Sequence, residues 1–310
     1  MLTEVNRPVA SVAVVGAGLM GRRIAGLMAR AGVRATLTDV NAAVLDSALA
    51  DARAMCPGNE YLVDVDPVVA SAVAGVDLVI EAVIENLDIK RTLFAELRAA
   101  NPTAILATNS SVIPISAIAA DLDDASLTVG MHFWNPPDLI PIVEVIRGTG
   151  TADEAMDRSM ELLSRVGKMP VRVERDVAGF VGNRLQHALW REAIDLVATG
   201  VCDAETVDLV VRNTIGLRLA EMGPIENADY VGLDLTLAIH EQVLPSINRD
   251  PFPSPLLERM VAEGNLGAKT GEGFLDWPAG SREAAASRLS AHVSAQLAAR
   301  SPQPESKGSS

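Results

Sequence analysis

Residues 9–39 carry the pattern of a complete strand–helix–strand unit built around a glycine-rich turn. The apolar run VASVAVV leads straight into GAGLMG, a helical stretch follows, and the second run, ATLTD, ends in an acid. A short, continuously apolar strand is typical of a parallel sheet in which both faces are covered. The first part of the chain is therefore predicted to form a parallel sheet with a helix crossing over it.

The three glycines of the turn each have a physical purpose. Gly16 permits a tight turn, Gly18 lets the backbone approach a pyrophosphate, and Gly21 lets the helix pack closely on the strand. Leu19 and Met20 begin the helix, whose free N–H groups and positive end of the dipole would face the phosphates. The turn thus predicts a dinucleotide site.

Asp39, at the tip of the second strand, selects between the two nicotinamide dinucleotides. Its carboxylate is placed to accept hydrogen bonds from the diol of an adenosine ribose, and its charge would repel a 2′-phosphate. The expected cofactor is therefore NAD rather than NADP. Two other readings remain open, a glycine-rich turn in another α/β protein and a Rossmann-type protein that binds a different adenosine ligand.

The following segments repeat the strand pattern, with helical stretches such as Asp88–Ala100 between them. The further predicted strands are Asp77–Val83, Ala104–Thr108, Leu127–Met131, Ile142–Ile146 and Val171–Val173. This alternation predicts an α/β domain of Rossmann type with a doubly wound sheet over residues 1–176.

The pattern becomes helical from Gly179 onward. The predicted helices cover 180–200, 203–212, 230–243, a stretch that begins near 255, and 281–301. Gly200 and Asp203 have the residue types of a C-terminal and an N-terminal helix cap. The sequence therefore predicts an all-α substrate and dimerisation domain over residues 177–282, then a C-terminal helix and a disordered tail over 283–310.

Composition limits the possible partners. The 310 residues carry a net charge of −14, which disfavours nucleic acid because phosphate contacts need clustered Lys and Arg. Hydrophobic residues make up 49% and aromatic residues only 3%. This apolar content fits an enzyme that buries further surface between subunits, and a homodimer is expected.

Other features indicate a cytoplasmic protein without a metal. Cys56 and Cys202 have no CxxC spacing, which fits a reducing cytoplasm. The segment MLTEVNRP has no basic region followed by an apolar core, so no signal peptide is expected. The longest apolar stretch, residues 68–84, is interrupted by Asp77 and Glu81 and is not expected to span a membrane. No metal-ligand spacing links the four histidines, His132, His187, His240 and His292.

The segment MHFWNPPDLIPIVEVI, residues 131–146, carries the candidate chemistry. His132 ends one apolar strand, and Glu144 stands alone in the next, where an unpaired buried carboxylate would be costly. A proline-stiffened turn between the strands can bring the two side chains together, and a carboxylate beside an imidazole builds a general base. The alternative is a His at a strand end and a Glu that faces solvent on an edge strand.

Taken in order, a series of motifs resembles the 3-hydroxyacyl-CoA dehydrogenase family over residues 9–277. The motifs are GAGLMG from Gly16, EAVIEN from Glu81, TNSS from Thr108, MHFWNP from Met131, DVAGFVGNR from Asp176, MGP from Met222, YVGLD from Tyr230 and KTGEGF from Lys269. The resemblance implies an NAD-dependent dehydrogenase of a 3-hydroxy substrate, in fatty acid metabolism for the acyl-CoA members. A catalytically silent, NAD-binding structural protein is the alternative.

The resemblance also implies roles for individual residues. His132 would be the catalytic base and Glu144 its orienting partner, while Ser111 and Asn183 would contact the oxygen atoms of the substrate. The residues implied to line the NAD site with the glycine turn are Asp39, Glu85, Lys90, Asn109, Asn135 and Lys269. The alternative for these polar residues is a solvated position at the end of a strand or helix.

Two departures bear on the substrate. Acyl-CoA members carry a lysine-rich helical arm in the region of residues 41–76, but here this segment holds one base, Arg53, and several acids. Arg218, in GLRLAEMGP, is part of a Gly-X-Arg that is similar to one in members acting on free acids, such as gulonate and carnitine dehydrogenases. The PPDLIP turn after His132 is also similar to the corresponding turn of those members. An Arg can bind a carboxylate through two hydrogen bonds. Both substrates stay open, a 3-hydroxyacyl-CoA and a small free 3-hydroxy acid bound by Arg218. The alternative for Arg218 is a surface position at the end of a helix.

Overall fold

The computed structural model describes residues 8–300. The tail predicted to be disordered, residues 301–310, lies outside the described residues. The chain forms two compact units, Met1–Arg184 and Leu185–Ser310.

The first unit is built on one eight-stranded sheet with the strand order β3-β2-β1-β4-β5-β6-β7-β8. The strands are β1 Ser11–Val15, β2 Arg34–Thr38, β3 Val63–Val65, β4 Leu78–Glu81, β5 Ile105–Thr108, β6 Thr128–Phe133, β7 Ile142–Ile146 and β8 Met169–Val173. All neighbours are parallel except β6 and β7. The helices of this unit are α1 Leu19–Arg30, α2 Leu45–Ala54, α3 Val69–Val73, α4 Leu87–Ala100, α5 Ile115–Ile118 and α6 Asp153–Arg165. The predicted doubly wound α/β fold is confirmed.

The central strands are apolar without interruption because both faces of the sheet are covered. In β1, Val12 and Val14 pack into one buried cluster while Ala13 and Val15 pack into another. Successive side chains of a strand point to opposite faces, so a strand between two layers of helices needs an apolar residue at every position. The sheet core thereby fixes where each strand ends, and the functional loops begin at those ends.

The second unit is helical, as predicted. Its helices are α7 Gly182–Ala198, which begins in the first unit, α8 Ala204–Asn213, α9 Ile215–Leu219, α10 Pro224–Val231, α11 Leu233–Val243, α12 Pro255–Ala262 and α13 Ser281–Arg300. The carboxylate of Asp203 accepts a hydrogen bond from the Thr206 amide at 2.8 Å, which confirms the predicted cap of α8. Among residues 185–299, whose side chains are described, none is buried.

Several boundaries differ from the predictions. Strand β3 lies in the acid-rich segment 41–76 and was not predicted. Strand β6 runs on to Phe133, so His132 lies within the strand rather than after it. The single helix predicted over 230–243 is wrong, because Gly232 adopts φ +100°, a left-handed conformation that ends α10 before α11 begins.

Two further expectations concern a membrane span and a metal site. Across residues 8–300, no helix is long and apolar enough to cross a bilayer. Within the same residues, no three His, Cys, Asp or Glu side chains cluster as a metal site would require.

Candidate active site

The loops that follow β1, β4, β5 and β6 leave the sheet at its carboxyl edge. After β1 the chain builds β2 and β3 on one side, then returns to β4 on the other side of β1. Such a change of direction opens a crevice between neighbouring loops, where open α/β sheets bind their ligands. The glycine turn and the predicted catalytic segment both belong to this edge.

The glycine turn has the close contacts expected of a dinucleotide loop. Gly16 adopts φ +101°, and a Cβ there would lie 2.6 Å from the carbonyl oxygen of Ala82 in the loop after β4. A Cβ at Gly21 would lie 1.8 Å from the carbonyl oxygen of Gly16, so α1 approaches the turn too closely for any side chain. At Gly18 an added Cβ would meet no protein atom within 4 Å, which leaves this part of the loop open to a ligand.

Asp39 binds the glycine turn directly. Its Oδ2 accepts a hydrogen bond from the Ala17 amide at 2.8 Å, and its Oδ1 accepts one from the Asn41 amide at 2.8 Å. A carboxylate has about four acceptor sites, so each oxygen can accept a further bond from a ribose hydroxyl. The first turn of α1 contains no acidic residue that would repel a pyrophosphate. These residues fit NAD.

A buried ion-pair network lies behind the loop after β4. Lys90 is 1% exposed, and its Nζ lies 2.6 Å from Glu81 Oε1 and 3.3 Å from Glu85 Oε2. Glu81 is fully buried and also accepts a hydrogen bond from the Thr108 hydroxyl at 2.7 Å. The solvated reading of Lys90 is therefore wrong, since its amine is bound to two carboxylates.

Glu85 organises the loop after β5. Its Oε1 accepts hydrogen bonds from the Ser110 hydroxyl at 2.5 Å and from the amides of Ser111 at 3.0 Å and Val112 at 3.1 Å. Burial raises the pKa of the Glu85 carboxyl, but the hydrogen bond from Ser110 and the charge of Lys90 outweigh this effect, and the pKa is lowered overall. The residue thus carries a stable negative charge that holds the backbone around Ser111.

Two further predicted residues fix this region. The Asn183 side-chain amide donates to the carbonyl oxygen of Ser111 at 3.0 Å, so the two predicted substrate-binding residues are in contact. The Asn109 side chain accepts a hydrogen bond from the Phe133 amide at 2.9 Å and thereby links the ends of β5 and β6.

His132 and Glu144 form a buried pair. The two residues face each other in the register of β6 and β7, and Nδ1 of His132 lies 2.8 Å from Oε2 of Glu144. Each residue is 3% exposed. Strand β7 lies inside the sheet, between β6 and β8, so the reading of Glu144 as a solvent-facing residue on an edge strand is wrong.

The start of α7 supports the other oxygen of Glu144. Oε1 accepts hydrogen bonds from the amides of Val181 at 2.9 Å and Gly182 at 3.1 Å. Burial raises the pKa of the Glu144 carboxyl, but the hydrogen bonds from His132, Gly182 and Val181 outweigh this, and the pKa lies below its usual value. Phe180, which is buried, reaches this turn with φ +47°, a conformation that non-glycine residues adopt at a cost and that often marks functional sites.

Of the remaining predicted residues, Met20 is partly buried, whereas Leu19, Asn135, Arg218 and Lys269 are exposed. Asn135 lies in the turn between β6 and β7, and Leu19 lies at the first position of α1. Lys269 and Arg218 belong to the second unit, where Arg218 lies near the end of α9 and Lys269 lies in the loop after α12.

Sequence reasoning missed the Glu81–Lys90 pair and the amides of residues 181 and 182. For Glu81 a signal was present, since a lone acid at the end of the apolar strand LVIE needs a buried partner.

A dinucleotide turn and a buried His–Glu pair on one sheet define the class, a dehydrogenase that uses NAD. The family model described as the NAD binding domain of 3-hydroxyacyl-CoA dehydrogenase matches residues 11–177. The model described as the C-terminal domain of the same enzyme matches residues 179–277. The chain belongs to the 3-hydroxyacyl-CoA dehydrogenase family, and it is an NAD-dependent enzyme that acts on a CH–OH group.

The similar proteins include enzymes named for a CoA thioester and an enzyme named for a free acid. A probable 3-hydroxybutyryl-CoA dehydrogenase of Deinococcus radiodurans is 38% identical over 275 residues, which cover 84% of this chain and 98% of the relative. The 5-formyl-3-hydroxy-2-methylpyridine 4-carboxylate 5-dehydrogenase of Mesorhizobium japonicum is 35% identical over 281 residues, which cover 85% of this chain and 89% of the relative. These relatives are named dehydrogenases, and the catalytically silent alternative has no support.

Two solved structures are also similar to this chain. A crystal structure of a 5-formyl-3-hydroxy-2-methylpyridine 4-carboxylic acid 5-dehydrogenase, described as an NAD⁺-dependent dismutase, matches with a TM-score of 0.88 at 30% identity, covering 96% of this chain and all of that one. The structure of FadB2 from M. tuberculosis matches with a TM-score of 0.71 at 33% identity, covering 87% of this chain and all of that one.

Proposed function

We propose that His132 is the general base of the dehydrogenase and that Glu144 holds it in its working tautomer. The observation that carries this proposal is the buried 2.8 Å hydrogen bond between Nδ1 and the carboxylate. A carboxylate acceptor at Nδ1 keeps the proton on that nitrogen, which leaves the lone pair of Nε2 for the substrate. Because the pKa of Glu144 lies below its usual value, the carboxylate stays charged at neutral pH.

In the oxidation direction, Nε2 of His132 accepts the proton of the substrate hydroxyl while hydride leaves the same carbon. NAD, when bound, supplies the acceptor for that hydride. The imidazolium that forms is stabilised by Glu144, which two amides hold in place. In the reverse direction the imidazolium returns its proton to the carbonyl oxygen. General acid–base assistance of this kind contributes roughly 10²–10⁴-fold.

In this proposal Ser111 and Asn183 bind the oxygen atoms of the substrate, and the hydrogen bond that the Asn183 side-chain amide donates to the Ser111 carbonyl oxygen supports a shared site. The glycine turn and Asp39 hold NAD. Glu85, Asn109, Asn135 and Lys269 complete the cofactor site. Lys90 supports this site through Glu85, since its buried amine lies between that carboxylate and Glu81.

We further propose that the substrate is a small free 3-hydroxy acid, with Arg218 as the countercharge for its carboxylate. The acid-rich segment 41–76 offers only Arg53 as a cation, and that guanidinium is already bonded to the carbonyl oxygen of Val63 at 3.0 and 3.3 Å. A phosphate-rich CoA tail would meet net negative charge there. The TM-score of 0.88 to an enzyme of a pyridine carboxylic acid supports the same reading. A 3-hydroxyacyl-CoA is the second candidate, favoured by the similarity to the Deinococcus radiodurans protein.

The experiment that tests the substrate class is a steady-state screen with NAD. It would compare 3-hydroxybutyryl-CoA, short free 3-hydroxy acids and the hydroxymethyl and formyl forms of a pyridine carboxylate. We expect kcat/KM to be highest for a free acid. Turnover of the CoA thioester alone would contradict the free-acid proposal and leave the His132 proposal untouched, whereas no turnover of any hydroxyl compound would contradict both.

We also propose a homodimer joined through the helical unit. Six large side chains of α8 to α11 are each more than 60% exposed: Leu209, Leu217, Ile225, Tyr230, Leu233 and Leu237. Apolar surface of this extent marks an interaction site, and a closed two-fold dimer is the commonest assembly. Light scattering at micromolar concentration should give twice the 32.6 kDa chain mass. A mass near that of one chain would contradict the dimer.

A cytoplasmic location is proposed from the cysteines. Cys56 and Cys202 are both free thiols, which fits a reducing compartment. Burial raises the pKa of the Cys56 thiol, and this favours the unreactive protonated form.

A further inference from the structure

Two aromatic rings pack against the imidazole of His132. The centroid of the Trp134 ring lies 5.2 Å from that of the imidazole with the planes at 56°, and the Phe180 centroid lies 5.8 Å away with the planes at 54°. Trp134 is partly exposed, whereas Phe180 is buried. The hydrogen bond to Glu144 fixes one atom of the imidazole, so the tilt of the ring depends on these neighbours.

Position 182 is occupied by glycine because a larger residue would clash with the side chain of Trp134. It is the first residue of α7 and does not have a positive φ, so the backbone itself would accept alanine, which forms helices more readily than glycine. A Cβ at this position, however, would lie 2.2 Å from Cζ2 of Trp134, 3.1 Å from Cη2 and 3.2 Å from Cε2. The indole therefore occupies the space of the missing side chain.

The same glycine also serves the catalytic pair, because its amide donates to Oε1 of Glu144 at 3.1 Å. Trp134 thus contacts both the imidazole and the residue that holds the partner of the imidazole. A change in the position of the indole would alter the tilt of His132 while the hydrogen bond at Nδ1 persists.

We propose that Trp134, packed over Gly182, is a positioning residue that fixes the plane of His132 and so the direction of its Nε2. The proposal rests on the role of His132 given above. A displacement of about 1 Å in a reacting group can cost on the order of 10²-fold in rate. Trp134 therefore acts on kcat rather than on cofactor binding.

The test is a double-mutant cycle with Gly182→Ala and Trp134→Phe, measured by steady-state kinetics on the best substrate of the screen. The added methyl displaces the indole, so Gly182→Ala should lower kcat roughly 10–100-fold with little change in the KM for NAD. Phenylalanine has no atoms at the positions of Cζ2 and Cη2, the two indole atoms nearest to the added methyl. The same methyl should therefore cost less than about threefold in the Trp134→Phe background.

Equal costs of Gly182→Ala in the two backgrounds would overturn the proposal, as would an unchanged kcat in Gly182→Ala itself. If Gly182→Ala does not fold, Trp134→Leu tests the proposal independently, because it removes the indole without adding atoms at position 182. It should lower kcat at an unchanged KM for NAD, and a wild-type kcat would overturn the proposal. His132→Ala, measured in parallel, distinguishes a failure of the proposed role of His132 from a failure of the proposed role of Trp134. A wild-type kcat after this substitution contradicts the role of His132, whereas a kcat lowered by about 10²–10⁴-fold, together with a wild-type kcat in Trp134→Leu, contradicts only the role of Trp134.

Discussion

Replacing His132 with alanine should lower kcat by about 10²–10⁴-fold while the protein still binds NAD. The substitution removes the base, but the glycine turn and Asp39 belong to other loops and keep their own hydrogen bonds. The measurements are steady-state turnover and a binding titration with NADH. His292→Ala, at an exposed histidine of α13, is the matched control and should behave as wild type.

Glu144→Gln should lower kcat to a similar extent, for a different reason. The glutamine carbonyl can still accept the amides of residues 181 and 182, which directs its NH₂ group toward Nδ1. The imidazole then carries its proton on Nε2 and loses the lone pair that faces the substrate. Cofactor binding should change little. A variant with wild-type rates across the pH range would remove Glu144 from the mechanism.

Arg218→Ala should lower kcat/KM for the free acid on the order of 10–100-fold, because a hydrogen bond to a charged group contributes about 1.5–3 kcal/mol. The loss should be small for a CoA thioester, which lacks that carboxylate. Kinetics on both substrate types, for wild type and variant, measures the difference.

Arg212→Ala is the matched control for this substitution. Arg212 is an exposed arginine of α8 whose guanidinium lies 3.6 Å from Asp208 within the same helix, so its loss should leave both substrates unaffected. If the wild type turns over 3-hydroxybutyryl-CoA efficiently and Arg218→Ala does not alter this activity, the free-acid proposal is contradicted and the substrate is a 3-hydroxyacyl-CoA.

The sequence predicted the elements whose signals are local. The unit β1–α1–β2 follows from the glycine spacing, and the pairing of His132 with Glu144 follows from two strands joined by a stiff turn. Predictions from local sequence patterns failed at two places, the break between α10 and α11 and the short strand β3. Gly232 interrupts a helical periodicity that is otherwise continuous, and β3 is only three residues long in a segment rich in acids.

Contacts between distant segments could not be predicted. Asn183 meets the backbone of Ser111 across 72 positions of the chain. Trp134 lies after β6 and Gly182 begins α7, and the reason for that glycine is visible only once both are placed in space. A side chain that fills the space of a missing Cβ leaves no periodicity or spacing in the sequence.

The exposed apolar surface of the helical unit bears on how the free energy of unfolding of this protein is measured. None of the described side chains of residues 185–299 is buried, so in the proposed dimer association would supply much of the apolar stabilisation of this unit. For the proposed dimer, folding and assembly then form one equilibrium governed by mass action, and each tenfold dilution lowers the free energy of unfolding by about 1.4 kcal/mol of dimer. Stabilities of variants in α8 to α11, Arg218→Ala included, are therefore comparable only at equal protein concentration.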